Sequence, residues 1–160
     1  MEKLELKRLA GYLPYGLTGE QNEYLDNKKT DLGGFETVQI TGIDFQNNKI
    51  LIRNGCVTQR DSIKPILRPL SDLTKEIEVN GKKFVPTERL REISGAFKPT
   101  PDLKNTFSIE FTQDGKNILS FNALCMHVNQ LKLFEKLYEW HFDIHGLIEK
   151  WLAIDINTLK

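Results

Sequence analysis

Cysteine is nearly absent: two in 160 residues, Cys56 and Cys125, too few for a disulfide framework and in keeping with a reducing compartment. Long apolar runs are missing as well. No stretch approaches the roughly 18 residues of a membrane helix, and MEKLELKRLA is too charged for a secretion signal. Net charge is also lacking, with 22 Lys plus Arg against 22 Asp plus Glu. That removes the strongest sequence argument for non-specific nucleic-acid binding. There is no Gly-rich phosphate loop of the GxGxxG or GxxxxGKS/T kind, no HExxH, no paired CxxC and no GxSxG elbow. Nucleotide chemistry of the P-loop or Rossmann type therefore has no support, and the expectation is a cytoplasmic protein without membrane attachment or cofactor.

What is present is ordinary globular composition, 39% hydrophobic and 28% charged, with nine Phe. The length suits one domain over residues 1–160, burying about two-thirds of its unfolded surface. A β-rich part, 1–70, and a mixed helix and hairpin part, 71–160, are its expected sub-structure. The expected class is α+β.

Residues 2–9 read as a short helix stopped by Gly11 and Pro14, and LAGYLPYGL (9–17) as an ordered turn leading into a strand. The polar stretch 19–34 reads as a surface loop. Val38, Ile40 and Ile43, the turn FQNN (45–48), Ile50–Ile52 and the hairpin signal Asn54-Gly55 then predict a small, strongly bent antiparallel sheet over 15–62. An SH3-like arrangement is one form it can take. KPILRPL (64–70), framed by Pro65 and Pro69, is excluded from a central strand or a helix interior. SDLTKEIEV favours a helix ending at Asn80-Gly81, with a hairpin from Glu76 to Val85 as the alternative. Pro86 opens a second helix, PTERLREIS. A loop over 95–105 leads to a hairpin from TFSIEFT (106–112) and NILSF (117–121), turning at Asp114-Gly115. The longest helix is expected over 128–144, where Leu133, Leu137, Trp140 and Ile144 recur at helical spacing, with Gly146 as its stop. A helical turn and a final strand close the chain.

Four side chains have the chemistry of a metal site: Cys125, His127, His141 and His145. His141 and His145 would share a helix face, but they lie where that helix should end, so no metal is expected. Cys125 with His127 or His141 as thiol and base rests on presence alone, as does an Asp143/Asp155 carboxylate pair. Phe134, Tyr138, Trp140, Phe142 and Trp151 read as core. Lys49, Arg53, Arg60, Lys64 and Arg68 form a mildly basic stretch, five cations against three acids over 36–70. Beside it Tyr12, Tyr15 and Phe45 offer stacking faces of the kind that hold single strands. The reading of WHFDIHGL is structural: Asp143 needs partners outside its helix, from the backbone of 146–150 or from Arg68, giving a polar network of Arg68, His141 and Asp143.

Three stretches, LAGYLPYGL (9–17), KPILRPLSDLTKEIEVNGKKFVP (64–86) and EWHFDIHGLIEKWLAIDINTL (139–159), resemble a family of short proteins carried in prophages and mobile elements of gut bacteria. The matching positions include Pro65, Arg68, Pro69, Asp72, His141, Asp143, Asp155 and Asn157. The resemblance implies a cytosolic protein in a phage or mobile-element setting and carries no catalytic role. Relatives often lack a histidine at the place of His145, which weakens a metal role further. The expected function is a non-enzymatic accessory or interaction module with a protein partner. A nucleic-acid-binding accessory factor using 49–68 comes second, and a metal- or thiol-dependent enzyme third.

Overall fold

A computed structural model describes residues 3–22, 35–93, 107–111, 119–123 and 130–159. Among them ten strands and two α-helices follow in chain order, the mixed α+β class expected. The strands are β1 (Thr18–Asn22), β2 (Phe35–Asp44), β3 (Lys49–Ile52), β4 (Val57–Gln59), β5 (Ile63–Leu67), β6 (Ile77–Val79), β7 (Lys82–Phe84), β8 (Phe107–Phe111), β9 (Leu119–Ala123) and β10 (Ile154–Asp155). The helices are α1 (Pro86–Ile93) and α2 (Gln130–Glu139). The chain divides into two compact units: Met1–Pro69 with His145–Lys160, and Leu70–Ile144 inserted between them in sequence.

In the first unit, Leu6, Leu9 and Tyr12 recur at every third residue and all three are buried. Three per turn is the period of a 3-10 helix, and one spans Leu6–Tyr15, continuing through Gly11 and Pro14. This corrects the expected helix over 2–9 and turn over 9–17. Gly16, at φ 72°, ends it and donates its N–H to the Leu13 carbonyl at 3.4 Å. β1 then takes up TGEQN, the start of the stretch expected to be a loop; residues 23–34 lie outside the described residues. Such a strand has no alternating apolar signal. Its backbone is what fits: a Cβ on Gly19 would lie 2.9 Å from the Lys64 carbonyl oxygen, so glycine permits the close approach to β5.

β2 pairs twice, residues 35–39 with β1 and residues 40–44 with β3, and a bulge between Ile40 and Gly42 bends it where the partner changes. The β3–β4 hairpin closes through the 3-10 turn Arg53–Gly55, with Gly55 at φ 74°. It is a three-residue loop ending in a left-handed glycine, not the two-residue type I′ turn that Asn54-Gly55 suggested. A 3-10 turn, Arg60–Ser62, leads into β5, and the sheet order is β10-β5-β1-β2-β3-β4. Gln21 on β1 donates from Nε2 to the Thr58 hydroxyl on β4 at 3.5 Å. Three flat strand spacings would hold those strands about 14 Å apart, so the sheet is strongly curled.

Pro65 sits inside β5, a strand flanked on both sides, which corrects its exclusion from an interior strand. The register gives the reason. β1 pairs with residues 63–65 and β10, in parallel, with 66–67, so no residue of β5 is registered with both neighbours. A proline needs its missing N–H on one flank only, and there the sheet asks for nothing.

In the second unit, a 3-10 helix, Leu70–Thr74, precedes the β6–β7 hairpin. The favoured helix over 71–79 is therefore corrected in favour of the alternative. Asn80 (φ 51°) and Gly81 (φ 74°) both adopt positive φ, the type I′ requirement, and Ile77 pairs with Phe84. Leu73 and Ile77 still enter one core, with Leu90, Leu133, Leu137, Trp140 and Phe142. α1 begins at Pro86 as expected, and β8 pairs with β9 as the expected hairpin. Its turn at Asp114-Gly115 and the 95–105 loop lie outside the described residues.

α2 ends at Glu139, so the long helix to residue 144 is corrected. His141 donates its N–H to the Tyr138 carbonyl at 3.0 Å, and Phe142 to the Leu137 carbonyl at 2.9 Å. With His141 at φ 57°, this is a Schellman cap, and the fully buried Leu137 and Phe142 supply its apolar contact. The apolar spacing continues past the helix because the cap, not another helical turn, returns Phe142 to the core.

Candidate partner-binding cleft

The second unit holds a cleft of about 680 Å³, within the range of about 300–1,000 Å³ common for binding sites. Three elements shape it. α1 presents Glu88, Arg89 and Glu92, turned away from the buried Leu90, and Ile93, which packs against the same core as Leu90. α2 presents Lys136 and Glu139, and Trp140 follows directly after its last residue. The hairpin supplies Val79 and Asn80 at its turn end and then Lys82, Lys83, Phe84 and Val85 in succession.

Phe84 and Trp140 form the apolar floor, their rings tilted by 54° with centroids 4.9 Å apart. Charge surrounds this floor. Arg89 pairs with Glu92 and Lys136 with Glu139, each within its own helix. Among the described residues neither Lys82 nor Lys83 has an ion pair closed by direct contact, although Glu78 stands across from Lys83 in the hairpin register. An aromatic floor with a charged rim is the anatomy of a protein-binding patch.

The residues singled out from sequence lie elsewhere. Lys49 on β3 is registered with Asp44 and Gln59, and Arg60 donates to the Asn48 side-chain oxygen at 3.2 Å while pairing with Asp61 at 3.3 Å. These two cations occupy one end of the sheet, near Phe45, which is 60% exposed. Arg53 is exposed at the other end of the hairpin, and Lys64 on β5 stands across from Glu20 on β1. Arg68 follows β5 and is half-buried. The five cations are thus spread over several edges with acids among them. Tyr12 is fully buried, its ring edge-on to His145 at 6.4 Å, and serves the core instead of stacking.

Cys125 and His127 lie outside the described residues. His141 occupies the helix cap and His145 a turn beyond it, so the pair has no shared helix face. Among the described residues no group of three His, Cys, Asp or Glu could hold a metal ion. Asp143 is buried at 4% exposure. Asp155 caps the 3-10 turn Ile156–Thr158, its carboxylate accepting the Asn157 N–H at 2.9 Å. Trp140 and Phe142 are buried and Phe134 packs on the same core, but Trp151, expected there too, is 81% exposed.

Sequence reasoning missed the cleft because it favoured a helix up to Asn80-Gly81. The available signal was that same dipeptide, read as a type I′ turn followed by Lys-Lys-Phe. No helix among the described residues is long and apolar enough to cross a membrane. No family model matches the chain, and no match was found among the curated proteins or the solved structures compared with it.

Proposed function

We propose that this chain is a non-enzymatic interaction module that binds a protein partner through the second-unit cleft. The carrying observation is the cleft itself, in which the half-buried Phe84 lies against the buried Trp140 beneath charged side chains of α1, α2 and β7. The resemblance of the three sequence words supplies the setting, a cytoplasmic accessory role in a phage or mobile element. The test is affinity capture from the cells that carry the chain, with wild type, Phe84→Ala and the rim variant Glu88→Arg, and with Lys64→Glu as a control in the first unit. A partner captured by wild type and Lys64→Glu, and lost with both cleft variants, supports the reading. A partner held equally by all four proteins overturns it.

A second reading has one observation in its favour. Lys49 and Arg60 share a sheet end with the exposed Phe45, a cationic and aromatic combination suited to single-stranded nucleic acid. Salt-dependent retardation of labelled single-stranded DNA, abolished by Phe45→Ala with Arg60→Glu, would support it.

A further inference from the structure

The turn of the β6–β7 hairpin is built on Asn80-Gly81, both exposed, with Asn80 at the lip of the cleft. Asparagine is among the chemically labile side chains, and a following glycine gives that lability its opening. The Gly81 backbone nitrogen can bond to the Asn80 side-chain carbonyl carbon. The bond from that carbon to Nδ2 breaks, and ammonia departs carrying the Gly81 amide proton. Water, the sole co-reactant, then opens the resulting succinimide at either carbonyl, leaving aspartate or isoaspartate. Glycine leaves the attacking nitrogen uncrowded, and a Cβ built on Gly81 would meet no heavy atom within 4 Å beyond its chain neighbours.

Conformation holds the reaction back while the hairpin stands. Ring closure needs the Gly81 nitrogen and the Asn80 Cβ on the same side of the Asn80 Cα–C bond. With φ 51° at Asn80 and 74° at Gly81 the turn is type I′. Its first central residue has ψ of about +30°, the mirror image of type I, which sets the carbonyl oxygen beside Cβ and the nitrogen opposite. Turning that peptide over separates Val79 from Lys82, the pair that closes the hairpin.

We infer that Asn80-Gly81 is a self-modification site latched by the β6–β7 hairpin, reacting when the hairpin opens and blocking its return once isoaspartate has formed. Isoaspartate runs the main chain through the former side chain, which adds one carbon between the Asn80 Cα and the Gly81 nitrogen. A two-residue turn lengthened in this way no longer sets Val79 against Lys82, nor Ile77 against Phe84. Phe84 rests on Trp140, so the change reaches the cleft floor. The second unit therefore carries a one-way clock, run by how often its hairpin opens.

The experiment ages the full chain in warm, mildly alkaline buffer, folded and in urea, and then digests it with trypsin. The peptide EIEVNGK (76–82) reports Asn80, and NGCVTQR (54–60) keeps the other Asn-Gly pair apart. The amide-to-acid mass gain marks deamidation, and an isoaspartyl methyltransferase labels the isoaspartate. Asn80 should react about tenfold or more slowly in the folded chain than in urea. Ile77→Ala, which truncates the buried side chain paired with Phe84, should raise the folded rate several-fold and leave the urea rate unchanged. The isoaspartate fraction should lose amide-exchange protection in β6 and β7, whereas Asn80→Asp should keep it, since aspartate accepts positive φ. Equal rates folded and in urea, no reaction at Asn80 in urea, or no effect of Ile77→Ala on the folded rate would overturn the latch. An isoaspartate product with full protection would overturn the block on return.

Discussion

Trp151 and His141 occupy backbone positions that usually fall to glycine. Each follows a turn closed in the same way, with paired bonds from Trp151 and Leu152 back to Ile148 and Leu147, and from His141 and Phe142 back to Tyr138 and Leu137. Their φ values are 61° and 57°. A left-handed conformation costs an ordinary residue about 1–2 kcal/mol, and at Trp151 an 81% exposed ring offers little packing in return. Trp151→Gly should therefore raise stability by up to about 1 kcal/mol in denaturant unfolding, after allowing for glycine's greater freedom when unfolded. The opposite strain operates at Gly19. There an added methyl group meets backbone, and Gly19→Ala should lower stability by about 1–3 kcal/mol.

Asp44 gives a pH test at the same scale. Its carboxylate accepts from the Asn47 side chain at 2.8 Å and from the Asn47 and Gln46 N–H groups at 3.0 Å, and the Asn47 bonds are the main cause holding its pKa below the ordinary aspartate value. A depressed carboxylate stabilises the fold above its unfolded pKa and loses that contribution as pH falls through the folded value. The difference in thermal midpoint between wild type and Asp44→Ala should be full near neutrality and shrink below about pH 4. A constant difference across that window would mean the bonds survive protonation.

At the scale of elements, legibility followed periodicity. α1, the β8–β9 hairpin and the β2–β3 region carry clear apolar spacing or turn chemistry, and each was readable from sequence. The 3-10 helix Leu6–Tyr15 was not, because its period of three falls between the two templates usually sought. The extent of β1 into the polar stretch from residue 19 was hidden by composition and β5 by Pro65, whose tolerance depends on a register that only the assembled sheet reveals. The β6–β7 hairpin was ambiguous because Leu73 and Ile77 also suit a helix. Its turn makes a test: Gly81→Ala forces a side chain into φ 74° with open space around it, so backbone strain alone should cost about 1–2 kcal/mol. The candidate cations were legible as residues but not as a site, since which strands they share is a matter of topology. The cleft depended on the very hairpin that was ambiguous.

For the whole molecule, the division into two units provides one tryptophan reporter in each. Trp140 lies in the second core at 5% exposure and Trp151 on the first unit's surface, so the fluorescence change on unfolding should come chiefly from the second. Leu137→Ala, which empties a fully buried position beside Trp140, should lower the midpoint of that signal by the equivalent of about 2–5 kcal/mol. Gly19→Ala, placed in the other unit, should act mainly on a probe of the curled sheet, such as amide exchange in β1 and β5.

The interrupted first unit also sets an order for the ribosome. All of Leu70–Ile144 is synthesised before Leu147, Ala153 and β10 exist, although the first two belong to the first unit's buried interior and β10 is β5's parallel neighbour. A nascent chain halted near residue 144 thus holds every residue of the later unit and an unfinished version of the earlier one, with Ile66 and Leu67 lacking their neighbouring strand. Uncovered strand edges invite wrong pairing during synthesis. Slow translation through codons 145–160 should accordingly lower soluble yield, while the same delay placed before residue 60 should not.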